Sequence, residues 1–172
     1  LTLFLIGFGG FTRGSESGFG CEDRWPLCKD GLLGGWLPRP EFHMVVEWTH
    51  RWLAAWVGLF ALLLFISAWR YRKTRKAPVV LAGSALAAIF IQAWIGRAVV
   101  KNDLDADLVS LHLVISLTVA FLITAVLVTS SPEHSRPASG RWRVAVGAAA
   151  ISALAVLFLG SLVHNQYYAG WP

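Results

Sequence analysis

The chain has 172 residues, 56% of them hydrophobic and only 15% charged, a membrane composition that excludes a soluble globular domain. Its formal net charge of +5 is gathered in short loops rather than on a stripe interleaved with base-stacking aromatics, which excludes a nucleic-acid surface. Nine tryptophans suit anchoring at the two membrane–water interfaces.

Leu1 to Thr12 is apolar but twelve residues long, short of the ~20 that a spanning helix needs. It is expected to be the outer end of a truncated first transmembrane helix whose beginning precedes Leu1; a short buried or re-entrant segment is the alternative. No signal peptide with a basic n-region is visible. Residues 13–45 read as an extracytoplasmic loop, polar and rich in Gly and Pro as far as Phe42. Cys21 and Cys28 lie seven apart in it. They can form a disulfide where the loop meets an oxidising compartment, adding roughly 2–4 kcal/mol to its stability; two unpaired thiols are the other reading. A zinc site needs more ligands than these, and His43, placed in the loop as a surface residue, does not complete a set. Trp25-Pro26 favours a rigid turn.

Pro38 and Pro40 end the loop, and Pro40 suits the first turn of a helix. The second span is expected over Val46–Trp69. Arg70, Arg72, Lys73, Arg75 and Lys76 follow at once, and such a run beside a span marks the cytoplasmic side. Val79–Gly96 reads as the third span, interrupted by Gln92. Arg97 to Asp107, with Asp103, Asp105 and Asp107, reads as an outer loop. Leu108–Val128 is the fourth span, with His112 its one ionisable residue. Ser130–Arg143 carries Arg136, Arg141 and Arg143 and reads as cytoplasmic. Val144–Val163 is a fifth span, and the tail from His164 lies outside. The expected fold is all-α, a polytopic transmembrane helix bundle: a four-helix half over residues 1–130, then a loop, a fifth helix and the start of a second half over 131–172. Gly9-Gly10-Phe11-Thr12-Arg13 followed by Trp25-Pro26 is echoed by Gly160-Ser161-Leu162-Val163-His164 followed by Trp171-Pro172, which suggests a tandem four-helix unit.

Glu47-Trp48-Thr49-His50-Arg51-Trp52 concentrates ionisable groups at the head of an apolar run. A charge at the bilayer centre costs roughly 2.5–3.5 kcal/mol, so such groups are usually kept for a use. His50 and His112 each fall four residues past the expected start of spans that run the same way. At about 1.5 Å rise per residue their imidazoles reach equal depth, roughly one turn below the outer surface. Two parallel helices can thus present them to one haem iron. The plainer reading is that each ring bonds a neighbouring carbonyl. Glu47 shares a face with His50 and also stands four before Arg51, so it is either an ion-pair partner of Arg51 or a proton-transfer group beside the haem. Trp48, Trp52 and Trp56 read as interfacial anchors or packing. His134 and His164 are assigned to surfaces.

Gly9-Gly10-Phe11-Thr12-Arg13, Ser17-Gly18, Cys21, Trp25-Pro26-Leu27-Cys28, Pro38 and Glu47-Trp48-Thr49-His50-Arg51, with Gln92, Gly96, Val99 and His112-Leu113, together resemble the haem A synthase family over nearly the whole chain. The resemblance implies an eight-helix bundle of two four-helix halves that oxidises the C8 methyl of haem O to a formyl group, making haem A for terminal oxidases. Each half carries a histidine pair, one for substrate haem and one for a haem B cofactor. Carried over, His50 and His112 are the first-half axial ligands, Glu47 the glutamate needed for activity with Arg51 in the haem environment, and Cys21 and Cys28 the extracytoplasmic disulfide. Haem O synthase, cytochrome oxidase assembly factors and membrane lipid are the implied partners. The second histidine pair is not in this chain; a half-length form restores it by homodimerising, whereas the fifth span argues for a longer chain.

Two other functions share these residues. A membrane b-type cytochrome uses the same bis-histidine haem for electron transfer and has no need of Glu47. A membrane thiol–disulfide oxidoreductase needs an activated thiol and a second cysteine pair, neither of which is indicated.

Overall fold

A computed structural model of the chain describes residues 1–130 and, beyond them, Gly140, Val144, Gly147 and Ala148. Contacts separate residues 1–130 from 131–172, and the description concerns the first unit. The expected fifth span and the second copy of the repeat lie outside the described residues.

The described residues are helical, with one isolated bridge between Leu32 and Leu37 and no strand. The helices are α1 (Thr2–Gly14), the single turn α2 (Leu32–Gly35), α3 (Phe42–Trp69), α4 (Lys76–Lys101) and α5 (Ala106–Ser130). α3, α4 and α5 are each long and apolar enough to cross a membrane, and most of each apolar window lies on the outside of the bundle. That is the arrangement lipid demands: backbone groups satisfied within the helix, apolar side chains turned outward. Hydroxyls inside these helices are satisfied the same way. Thr49 donates to Val45 O (2.7 Å), Ser116 to His112 O (2.8 Å) and Thr124 to Ala120 O (2.8 Å). α4 packs along α5 and less extensively on α3, while α1 packs on α3 and α5.

Every spanning helix outruns its apolar stretch. α3 begins at Phe42, four residues before Val46, and α4 covers Lys76–Lys101 rather than Val79–Gly96. A helix of 28 residues is about 42 Å long, against a hydrocarbon core of about 30 Å. Hydropathy therefore marks the part in hydrocarbon and not the ends. His43 accordingly stands on α3 rather than in the loop, exposed, with Nδ1 3.0 Å from Ser17 Oγ. Pro40 lies outside the helix, ahead of its cap residue Glu41. Arg97 and Lys101 are helical, not loop. Asp105 opens α5, its Oδ1 accepting from the backbone N–H groups of Asp107 and Leu108 (3.1 Å each).

The segment between α1 and α3 is folded onto α3. The structure bonds Cys21 to Cys28, Cα atoms 4.3 Å apart, and both are fully buried beside Met44, with Trp48 packed against them. Gly20 lies so close to the backbone of His43 and Met44 that a side chain there would collide with it. Gly35, at φ +98°, abuts the Cys28 carbonyl in the same manner. Trp48 Nε1 donates to Trp36 O (2.9 Å), so that tryptophan ties the loop to α3.

Candidate haem-binding site

His50 projects from α3 toward α1. Its ring stacks with Phe8, centroids 6.3 Å apart and planes 14° apart. A Cβ at Gly9 would stand 3.0 Å from His50 Cε1. His112, on α5, lies against α4 in the same way, since a Cβ at Gly96 would stand 3.1 Å from His112 Cε1. Each imidazole thus rests on a glycine of a neighbouring helix, where a larger residue would displace it. His50 is eight residues past Phe42 and His112 six past Ala106, not four each, because the helices start earlier than their apolar runs. The two-residue difference amounts to about 3 Å of rise.

Neither ring bonds a carbonyl among the described residues, and Nδ1 of each is buried without a partner. Buried polar atoms in native proteins are rarely left so, and each such case calls for an explanation. No three His, Cys, Asp or Glu side chains cluster among the described residues, so a metal caged by protein alone lacks its ligands there. Haem iron needs only two axial donors from the protein, and imidazole nitrogen is a usual one. The residues present fit haem, and His50 and His112 are the two that would hold it. Gln92 of α4 braces the backbone at His112: its Nε2 donates to His112 O (2.7 Å) and to Ser116 Oγ, while its Oε1 is buried without a partner.

Glu47 is buried at 3% exposure, and neither imidazole is among its hydrogen-bond partners. One carboxylate oxygen accepts from the backbone N–H of Cys21 (2.6 Å), and the other is ion-paired with Arg51 Nη2. Arg51 Nη1 donates to three loop carbonyls, those of Arg24 (2.7 Å), Pro26 (3.2 Å) and Leu27 (3.1 Å). The pair is a clip that fastens the disulfide loop to α3. Sequence spacing predicts the ion pair but carries no sign of the loop carbonyls it holds. The seats at Gly9 and Gly96 and the brace at Gln92 are equally silent in spacing, although Gln92 is conspicuous as the polar residue in an apolar run.

Lys29, in the loop, donates to Glu22 (2.7 Å). That hydrogen bond, and then the carboxylate charge, hold its ammonium above the usual lysine pKa.

Similar proteins place this site in context. The haem A synthase of Symbiobacterium thermophilum is 27% identical over 184 residues, covering 99% of this chain and 59% of that protein. That of Exiguobacterium sp. is 31% identical over 179 residues, covering 100% and 58%, and that of Geobacillus kaustophilus 29% over 183, covering 99% and 56%. The chain spans a little over half the length of the curated relatives it matches. No solved structure matches it. The COX15-CtaA model, described as cytochrome oxidase assembly protein, matches residues 37–171, and with that match the chain that seats His50 and His112 on two glycines belongs to the COX15-CtaA family, the family of the haem A synthases.

Proposed function

We propose that this chain is the first-half unit of a haem A synthase, a membrane oxidoreductase that converts the C8 methyl of haem O to a formyl group for terminal oxidases. The observation that carries the reading is the pair of imidazoles, each resting on a glycine of a neighbouring helix and each with Nδ1 buried and unpartnered. His50 of α3 and His112 of α5 would hold the iron of a haem; whether that haem is substrate haem O or cofactor haem B follows from what occupies the other half. A bound haem supplies the redox chemistry. Gln92 fixes His112 through its backbone oxygen, and Phe8 shields His50 from water. Glu47 and Arg51 hold the Cys21–Cys28 loop over this end of the bundle. A proton-transfer role for Glu47 requires its carboxylate to exchange the Cys21 N–H or Arg51 for a group at the haem. In this reading the cysteine loop and the 102–105 turn face the extracytoplasmic side and the basic 70–75 turn the cytoplasm. Haem O synthase and oxidase assembly factors are the expected partners, and a second chain or a second half completes the enzyme.

One observation favours a second reading, the b-type electron carrier: both Glu47 oxygens are already occupied, by Arg51 and Cys21. The test is extraction and mass analysis of haems from membranes expressing the chain with its second half, together with spectra of His50→Ala and His112→Ala. Both variants are expected to lose the low-spin signal of this half, and a signal retained in either contradicts the pairing. Haem A formation that stops in Glu47→Gln with haem still bound supports the synthase. Haem bound but never altered, in any background, leaves the electron carrier.

A further inference from the structure

At the end of α4 next to the cysteine loop is an open pocket of about 460 Å³, lined by Asp23, Arg24, Trp25, Lys29, Arg97 and Lys101. Four cations face one carboxylate there. Lys29 is held by Glu22. The ion pairs among the described residues are Lys29–Glu22 and Arg51–Glu47, so Arg24, Arg97 and Lys101 have no acidic partner among them. Arg97 instead lies over the Trp94 ring, 5.4 Å from its centroid. Three cations converging on one cavity repel one another, and a doubly charged anion relieves that repulsion.

The pocket's walls are tied to the two histidines. Arg97 directly follows Gly96, the seat of His112, and Lys101 stands one turn further on the same face. On the other wall, the Arg24 carbonyl is held by Arg51, the residue after His50. The favourable interaction of cations with a helix C-terminus explains Lys101 alone. It does not explain Arg24, which comes from the loop to the same cavity.

We infer that Arg24, Arg97 and Lys101 form the subsite for the two propionate carboxylates of the haem that His50 and His112 hold. The inference rests on the haem reading above. A haem is an apolar disc with both carboxylates on one edge, so a slot between apolar helices must open at a cationic edge. This pocket is that edge: Arg97 in its wall directly follows Gly96, the seat of His112. Guanidinium groups suit carboxylates through paired N–H donors. Trp25 lines the same cavity with an aromatic face.

The test compares ferric haem B with its dimethyl ester, in which both carboxylates are blocked, titrated into the full chain in phosphatidylcholine nanodiscs and read by the low-spin Soret band. Wild-type protein is expected to bind the ester about tenfold more weakly than the acid, the scale of one charge-assisted hydrogen bond. In Arg97→Gln/Lys101→Gln and in Arg24→Gln the acid weakens by a part of that factor, about threefold each, while the ester is unchanged. The ester comparison on wild-type protein needs no variant to fold. Equal binding of acid and ester by wild type overturns the inference, as does a variant that weakens both alike. If the variants instead lose bound phosphatidylglycerol on purification while acid and ester bind equally, the pocket takes a lipid phosphate and the inference is wrong. If His50→Ala keeps its low-spin band, the haem reading itself fails, a result distinct from all of these.

Discussion

Arg51→Ala should release the disulfide loop without unfolding the bundle. Arg51 donates to the carbonyls of Arg24, Pro26 and Leu27 and to Glu47. The side chains of the pair are only 12% and 4% exposed. Removing one member of such a pair leaves a buried charge uncompensated and costs about 3–5 kcal/mol. The lower end applies here, because Glu47 keeps the Cys21 N–H and lies close to the loop's aqueous side. About 3 kcal/mol taken from local opening multiplies the open population by roughly 100. Hydrogen exchange of the protein in nanodiscs, followed by mass spectrometry on peptides from residues 19–30, reads that population directly. The Cys21 amide, bonded to Glu47, is expected to gain most. Peptides from α4 and α5 are expected to stay unchanged.

Glu47→Gln is the graded companion. The amide oxygen still accepts from Cys21 N–H or from Arg51, and Arg51 retains its three carbonyls. The expected cost is about 1–1.5 kcal/mol, roughly a tenfold rise in exchange. If Arg51→Ala leaves loop exchange within threefold of wild type, the clip is not what holds the loop. If exchange rises throughout the chain, the pair supports the bundle and not the loop.

Gly96→Ala and Gly9→Ala place a methyl 3.1 and 3.0 Å from the imidazoles of His112 and His50; the overpacking cost of about 1–3 kcal/mol is partly offset by ~1 kcal/mol of helix propensity, so stability should fall by no more than about 2 kcal/mol while the low-spin haem signal falls, and Gly10→Ala, with open space around it, should leave the spectrum intact. Cys21→Ser/Cys28→Ser opens a closed loop of short span and should weaken it by roughly 2–3 kcal/mol, seen as faster exchange over residues 19–30 with the haem signal retained; loss of haem would tie the bridge to the site instead. Lys29 gains its partner on folding and its pKa is raised by Glu22. The pair's contribution is therefore full below the ordinary lysine pKa and is lost as pH rises through the raised one. The pH profile of amine modification at Lys29 should move down in Glu22→Gln, and an unmoved profile refutes the contact.

The three long spans are legible because ~20 apolar residues have few structural options. Their ends are not, because a helix continues through the interface on polar residues whose long side chains reach water. Glu41 and Phe42 begin α3, and Arg97 and Lys101 finish α4, where hydropathy has already fallen. That misplacement hides the cationic pocket: read as loop, Arg97 and Lys101 have no fixed direction, whereas on α4 they line one cavity with Arg24. The histidine pair is visible as chemistry, since imidazole in an apolar run is expensive to keep. The seats at Gly9 and Gly96 need a neighbouring helix to give them meaning, and no local pattern supplies one.

Glu47 illustrates the limit of face arguments. At ~100° per residue, positions three apart differ by about 60° around a helix, and positions four apart by about 40°. Spacing alone therefore groups Glu47 with His50 almost as well as with Arg51. The structure separates them: Glu47 and Arg51 turn together to the loop backbone, and His50 turns to Gly9 and Phe8 of α1. Sixty degrees of arc is the width of one neighbouring element, and here two different elements, a loop and a helix, occupy the two sectors. What decides the matter is the demand of the loop. Cys21 offers a backbone N–H, and residues 24, 26 and 27 offer carbonyls, all in a turn too irregular to satisfy them internally. A carboxylate and a guanidinium on one face of α3 meet both kinds of demand at once. The histidine one position before Arg51 is left without such a claim, and that freedom is what makes its ring available to a ligand.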